Sequence, residues 1–140
     1  MATESDKDMT VFELAQALLH ASPAHPERVQ GLIGARLVSV PGRSKERSLH
    51  FDSYRARAGD GPFTTLELHI PKARGGISFR IVLRERPTRD EILRHFGRLK
   101  FSEYDADGKK MIAQHYKGQC MSWVLDDQGR AERLLIQDGR

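Results

Sequence analysis

The sequence predicts an α+β protein in which a helical hairpin packs on an antiparallel β-sheet. Apolar residues recur at helical spacing as far as Gly34, and beyond it they alternate with polar residues, which is typical of strands. A second helical segment at 89–97 also ends in a glycine and is followed by further alternating segments. These observations predict a second half, again a helix followed by strands.

Capping signals bound the two helices of the predicted hairpin. Thr10 and Glu13 form a T-x-x-E capping box before an apolar stripe that runs to His20. Pro26 suits the first position of a second helix, and Gly34 suits its end. The two helices are therefore expected to be short and joined by the proline-containing segment between them.

Four strands are expected after the hairpin, at 37–40, 49–55, 65–70 and 77–83. In the second of them, Phe51 is expected to face the core, and Tyr54 is expected on the opposite, polar face. One apolar face and one polar face are typical of an antiparallel sheet with helices on one side and water on the other.

The segment 87–97 contains Glu91 four residues before His95, a spacing that raises the question of an active-site pair. Thr88 and Glu91 also form a capping box, which gives the carboxylate a local structural role. A metal or catalytic site would need a further converging group, and the pattern H-E-x-x-H is absent. We therefore interpret Glu91 and His95 as structural residues of a helix that ends at Gly97.

The second half is expected to continue with strands at 99–104, 111–116, 119–125 and 131–137. Val29 and Ile92 each lie five residues before the glycine that ends their helix. The shared order of helix, glycine and strands suggests a degenerate duplication.

Composition predicts one domain spanning 10–140, after a flexible leader at 1–9. The 39% of hydrophobic residues suffice for a core, and the lone Cys120 cannot form an internal disulfide. We expect a cytoplasmic protein because no secretory signal is recognisable, although a chain whose signal peptide had been removed would read in the same way. No apolar run is long enough to span a membrane.

No catalytic or cofactor motif is complete, so we expect neither an enzyme nor a metal or cofactor site. The segment D-A-D-G at 105–108 lacks the remaining ligands of a calcium loop, and Cys120 with His115 lacks a third group. An enzyme stays open as an alternative because His50, Glu67 and His69 are expected on one sheet face.

The formal charge of +4 is concentrated in the segment 72–100, where nine Lys and Arg residues against three acidic residues give +6. Such a segment favours an acidic partner, whether protein or nucleic acid, or serves only as a solvated surface. For a nucleic-acid-binding module using this segment, exposed aromatic residues would be expected for base stacking. Tyr54 is the main aromatic residue expected on the polar face.

The order of elements resembles β-lactamase inhibitory protein and small lipoproteins of the SmpA/OmlA type. The segment F-E-L-A-Q-A-L-L-H-A-S-P-A-H-P-E-R-V-Q-G-L-I-G-A-R-L, with its L-L pair, proline-bounded helix and G-x-x-L step, is similar to immunity proteins of polymorphic-toxin and type VI secretion loci. The chain lacks the lipid-attachment cysteine of the lipoproteins. The resemblance implies an inhibitor that binds its target, a toxin or secretion effector, through its sheet.

The polar face of the sheet is therefore the predicted partner-binding surface, since the apolar face is needed for packing. Its expected contact residues are Tyr54, Glu67, His69, Arg80 and Arg84, with Arg43, Lys45 and Arg47 of a basic loop at the rim.

Overall fold

The structure, a computed structural model, describes residues 9–20, 25–40, 51–72, 76–97, 101–104, 108–116 and 118–138, with the backbone alone for 101–104, 116 and 138. The predicted leader lies almost entirely outside these ranges. Arg43, Lys45, Arg47 and His50 also lie outside the described residues.

The fold is α+β, as predicted, with three short helices and one antiparallel sheet. The helices are α1 (Val11–Leu19), α2 (Pro26–Ile33) and α3 (Arg89–Phe96). The strands are β1 (Val38–Val40), β2 (Phe51–Arg57), β3 (Phe63–Pro71), β4 (Ser78–Leu83), β5 (Phe101–Tyr104), β6 (Lys110–Tyr116), β7 (Gln119–Leu125) and β8 (Ala131–Asp138). Their order across the sheet is β1-β2-β3-β4-β8-β7-β6-β5, so that each half of the chain forms a meander and the two halves meet where β4 pairs with β8.

The predicted helix boundaries are confirmed by their caps. The Thr10 side chain accepts from the Glu13 backbone, and the Glu13 carboxylate accepts from the Thr10 backbone. Pro26 opens α2, and Gly34 ends it at φ 67° and ψ 25°, a left-handed conformation that glycine adopts without steric cost. The backbone N–H of Val11 also donates to Glu85 Oε1 at 2.7 Å, which ties the start of α1 to the segment after β4.

The core lies between the helices and one face of the sheet, here called the inner face. Trp123 of β7 is fully buried there, with its ring centroid 6.3 Å from that of Phe12 on α1 and 6.0 Å from that of Phe96 on α3. Leu66 and Phe79 contribute the inner face of the first half. Buried residues of α1 and of both halves belong to one hydrophobic cluster, so the two meanders share one core.

The strand register corrects the prediction for Tyr54. Tyr54 pairs with Leu68 and packs against the core, whereas Ser53 and Arg55 lie on the opposite face. The predicted strand placed Phe51 inward and Tyr54 outward, which is one residue out of phase. Since side chains alternate strictly along a strand, this shift moves every residue of β2 to the other face.

None of the three described helices has the length and apolar composition needed to cross a bilayer.

Candidate functional site

The face of the sheet opposite the helices, here called the outer face, carries most of the polar side chains of β2, β3 and β4. None of the described helices covers it. Across the strands, Arg57 is aligned with Thr65, Val82 and Arg133, and the next row aligns Arg55, Glu67, Arg80 and Leu135. The sheet therefore brings four arginines from three separate strands onto one surface.

These residues line a groove of about 770 Å³, here called the arginine groove. The side chains that the outer face contributes to it are Arg55, Arg57, Thr65, Glu67, Ser78, Arg80, Val82, Arg133, Leu135 and Gln137. They include four cationic groups and one carboxylate. The groove thus combines a positive charge with an apolar floor formed by Val82 and Leu135.

Glu67 is neutralised by its neighbour on β2. Arg55 donates to Glu67 Oε2 from Nη2 at 2.7 Å and from Nε at 3.1 Å. Burial raises the pKa of the Glu67 carboxyl, but the hydrogen bonds and charge of Arg55, with a smaller effect of His69, outweigh it and hold this pKa below its usual value. The carboxylate therefore stays ionised, and Arg80 lies opposite it on β4.

Ser53, His69 and Glu67 are adjacent on the outer face. Ser53 Oγ lies 3.0 Å from His69 Nδ1, and His69 Nε2 lies 3.5 Å from Glu67 Oε1. This order of groups is also that of hydrolytic triads. Here, however, Ser53 and His69 are each only 7% exposed, so the hydroxyl has no room for an acyl substrate. We interpret the three groups as a buried polar network that fixes the β2–β3 pairing.

Of the predicted contact residues, the structure brings Glu67, His69 and Arg80 together on the outer face. It does not bring Arg84 there. The Arg84 guanidinium donates to the carbonyls of Gly61 at 3.2 Å, Phe63 at 2.9 Å and Ala58 at 2.6 Å, all in or beside the β2–β3 turn. Three of the five N–H donors of Arg84 are thus engaged by this turn, which gives the side chain a structural role, and its contact with a partner stays a prediction.

The described cationic side chains of the predicted basic segment at 72–100 do not form a single surface. Arg80 lines the groove, but Arg86 pairs with Asp126 at 2.9 Å, and Arg94 is exposed on α3. Because side chains alternate along β4 and the chain then turns into α3, these side chains point in different directions. The positive charge of the groove instead comes from residues distant in sequence.

Arg55, Arg57 and Arg133 were missed by the sequence analysis. The predicted second strand ended at Arg55, and its phase was set by Phe51 rather than by the alternation of Arg55 and Arg57 with Tyr54 and Ala56. A strand extended to Arg57, with its phase set by the two arginines, would have placed both of them on the polar face. The position of Arg133 depends on β8 pairing with β4, which no local pattern indicates.

The question raised by Glu91 and His95 is answered by their contacts. The Glu91 carboxylate accepts from the Thr88 backbone at 3.0 Å, and hydrogen bonds from Thr88 lower the pKa of Glu91. The His95 ring stacks on Phe12 of α1, with centroids 3.8 Å apart. Both residues therefore hold α3 in place, as the capping pattern predicted for Glu91.

No three His, Cys, Asp or Glu side chains gather as a metal site within the part of the chain that the structure describes. The segment D-D-Q-G at 126–129 forms a turn, in which the Gly129 N–H donates to the Asp126 carbonyl at 3.0 Å. Residues 105–107 of the D-A-D-G segment lie outside the described ranges.

The chain matches no protein-family model, and searches of curated proteins and of solved structures gave no significant match. The site itself is therefore the basis for a functional assignment.

Proposed function

We propose that this chain is a protein-binding inhibitor that holds an acidic partner against the arginine groove, and that it serves in the cytoplasm as an immunity protein against a cognate bacterial toxin or secretion effector. The observation that carries the binding role is the groove: four arginines meet on a sheet face that no described helix covers. The immunity role rests on the resemblance of element order and of the segment 12–37.

The composition of the groove favours a protein as partner. Val82 is 44% exposed although it is a large apolar residue within β4, and Leu135 lies diagonal to it on β8. Protein interfaces typically surround such an apolar centre with polar groups, among which arginine is enriched. The positive charge adds long-range attraction for an acidic surface.

We infer further that the fold is a degenerate duplication built around a helical hairpin. The hairpin is supported by contacts between α1 and α2. The duplication is supported by the order of α2 and β1–β4 in one half and of α3 and β5–β8 in the other. A two-fold axis between the antiparallel strands β4 and β8 would exchange the halves, because it maps the strand order β1-β2-β3-β4 onto β5-β6-β7-β8.

The proposal is tested with the protein encoded beside this gene. Calorimetry would compare binding by the unmodified chain, by Arg57→Ala/Arg80→Glu and by the control Arg94→Glu on the exposed side of α3. We expect the groove variant to bind at least about tenfold more weakly, since it removes two cations and adds a repulsive charge. The control should bind normally, and thermal melting would show that both variants fold.

A second measurement tests inhibition. Co-expression of the chain should relieve the toxicity of the neighbouring protein, and the groove variant should not. If the unmodified chain neither binds this protein nor relieves its toxicity, the proposed immunity role is wrong.

Arginines also bind phosphates, so a nucleic acid is the alternative partner. The described side chains of the outer face that line the groove include no aromatic ring on which bases could stack. Preferential binding of oligonucleotides over the neighbouring protein at physiological salt would favour that alternative.

A further inference from the structure

We propose that the arginine groove receives an extended acidic segment of its partner, in which carboxylates at alternate positions contact Arg57, Arg80 and Arg133. This inference rests on the proposed function and names the part of the partner that enters the groove. The segment would lie across the strands, with its remaining contacts to Val82 and Leu135.

The spacing of the arginines fits such a segment. Arg57 and Arg133 stand at opposite ends of one row, three strand spacings or about 14 Å apart. Arg80 is diagonal to Arg133 on the neighbouring strand, at about 7 to 8 Å between α-carbons. In an extended chain, residues i and i+2 lie about 7 Å apart, and residues i and i+4 lie about 13 Å apart. The outer two of three alternate carboxylates therefore match Arg57 and Arg133, and the middle one lies about 7 Å from the α-carbon of Arg80, within reach of the long arginine side chain.

The charges of the groove leave a net attraction for carboxylates. Arg55 is engaged by Glu67 through two hydrogen bonds, so this pair contributes little net charge. Arg57 and Arg80 are exposed and form no ion pair with any described residue. Planar guanidinium groups bind carboxylates with two parallel hydrogen bonds, which gives both affinity and orientation.

The apolar residues and the carboxylate of the groove favour a protein segment over a phosphate polymer as the ligand. Val82 and Leu135 form an apolar floor between the cations, and the ionised Glu67 lies among them. Closely spaced phosphates would meet this apolar surface and the carboxylate with no favourable contact. A segment in which carboxylates are interspersed with apolar side chains can satisfy both kinds of surface.

Fluorescence anisotropy with labelled probes tests the inference directly on the full chain. The probe is a peptide of alternating valine and glutamate with seven residues, and the matched peptide has glutamine in place of glutamate. A single-stranded oligothymidylate of 12 nucleotides and inorganic tripolyphosphate serve as competitors. The protein variants are Arg80→Ala, Arg57→Ala and the control Arg94→Ala, which removes the same charge from α3.

We expect the glutamate peptide to bind at least about tenfold more tightly than the glutamine peptide, and each groove variant to weaken binding about five- to tenfold. Arg94→Ala should leave the affinity unchanged, and neither phosphate probe should displace the peptide at equal concentration. Equal binding of both peptides, an equal loss with Arg94→Ala, or displacement by either phosphate probe would overturn the inference.

The two proposals can fail separately. If the groove variants lose the neighbouring protein while the glutamate peptide does not bind, the inhibitor role stands and the extended acidic segment is wrong. If the peptide binds in the groove but the neighbouring protein is neither bound nor inhibited, the groove chemistry stands and the immunity role is wrong.

Discussion

Arginines of this chain serve two different purposes, and their contacts distinguish them. Arg84 donates to three backbone carbonyls of the β2–β3 connection, whereas Arg80, four residues earlier, lies exposed in the groove. The same residue type in the same basic segment thus stabilises the fold at one position and faces solvent at the other. Substitutions at the two positions should therefore change different measured properties.

We predict that Arg84→Ala lowers the free energy of unfolding by about 1 to 3 kcal/mol, because three carbonyl acceptors lose charged donors. Arg84→Lys should recover only part of this loss, since an ammonium group cannot reproduce the fork of the guanidinium. Chemical denaturation measures the loss, with Arg80→Ala as the control of equal charge change. A larger loss for Arg80→Ala than for Arg84→Ala would contradict the assignment.

Glu67 should make stability depend on pH in the acidic range. Its pKa in the folded protein lies below its usual value, so its contribution to stability is present above the unfolded-state pKa and is lost as pH falls through the lower folded-state pKa. Glu67→Gln should therefore lose less stability than the unmodified chain between pH 6 and pH 3. Urea denaturation across this range measures the difference, with Asp60→Asn in the β2–β3 turn as a control. Identical pH profiles for Glu67→Gln and the unmodified chain would show that the pair with Arg55 contributes nothing.

At the scale of elements, the glycines that end α2 and α3 look equivalent in sequence and differ in backbone conformation. Gly34 has φ 67° and ψ 25°, which asparagine also adopts, whereas Gly97 has φ 77° and ψ −151°, a region that is essentially restricted to glycine. An added Cβ would meet no atom of a described residue within 4 Å at either position, so the cost of substitution is argued from the backbone conformation.

We predict that Gly97→Asn lowers the free energy of unfolding by about 1 to 3 kcal/mol, whereas Gly34→Asn costs less than about 1 kcal/mol. Parallel urea denaturation of the two variants makes the comparison. Equal costs would indicate that the two helix ends share one conformation in solution.

Most elements could be predicted from the sequence because their signals are local. The capping boxes at Thr10 and Thr88 and the glycines at 34 and 97 bound their helices as expected. The predicted phase of β2, which places the aromatic Phe51 inward, is wrong because Tyr54 occupies the core side. An aromatic residue at a strand end is a weak guide to phase, whereas the two arginines at 55 and 57 can satisfy their charge only on the solvated face.

The candidate site was predictable only in part, because it is assembled by pairing between distant segments. The polar faces of β3 and β4 could be read from alternation, which placed Glu67, His69 and Arg80 correctly on one surface. Arg133 joins them through the β4–β8 pairing, and the stacking of His95 on Phe12 likewise depends on how α1 and α3 meet. Neither contact has a signal in the local sequence.

At the scale of the whole molecule, the shared core predicts a single cooperative unfolding transition. Trp123, the only tryptophan of the chain, is fully buried in the second half and lies beside Phe12 of α1. Its fluorescence should therefore report the unfolding of both halves together. We expect the urea transitions followed by Trp123 fluorescence and by far-ultraviolet circular dichroism to coincide. Two separated transitions would mean that the meanders unfold independently, in conflict with their shared core.

The central position of β8 has a consequence for how the chain reaches this structure. Residues paired between β4 and β8 are 51 to 59 positions apart in sequence, from Val82 with Arg133 to Ser78 with Gln137. Bringing such distant segments together is entropically costly and slows folding relative to local hairpins. Until β8 is in place, β4 and β7 each present an unpaired edge, which can recruit a strand from another molecule. Refolding yield should therefore fall as protein concentration rises, even though the completed sheet buries both of these edges.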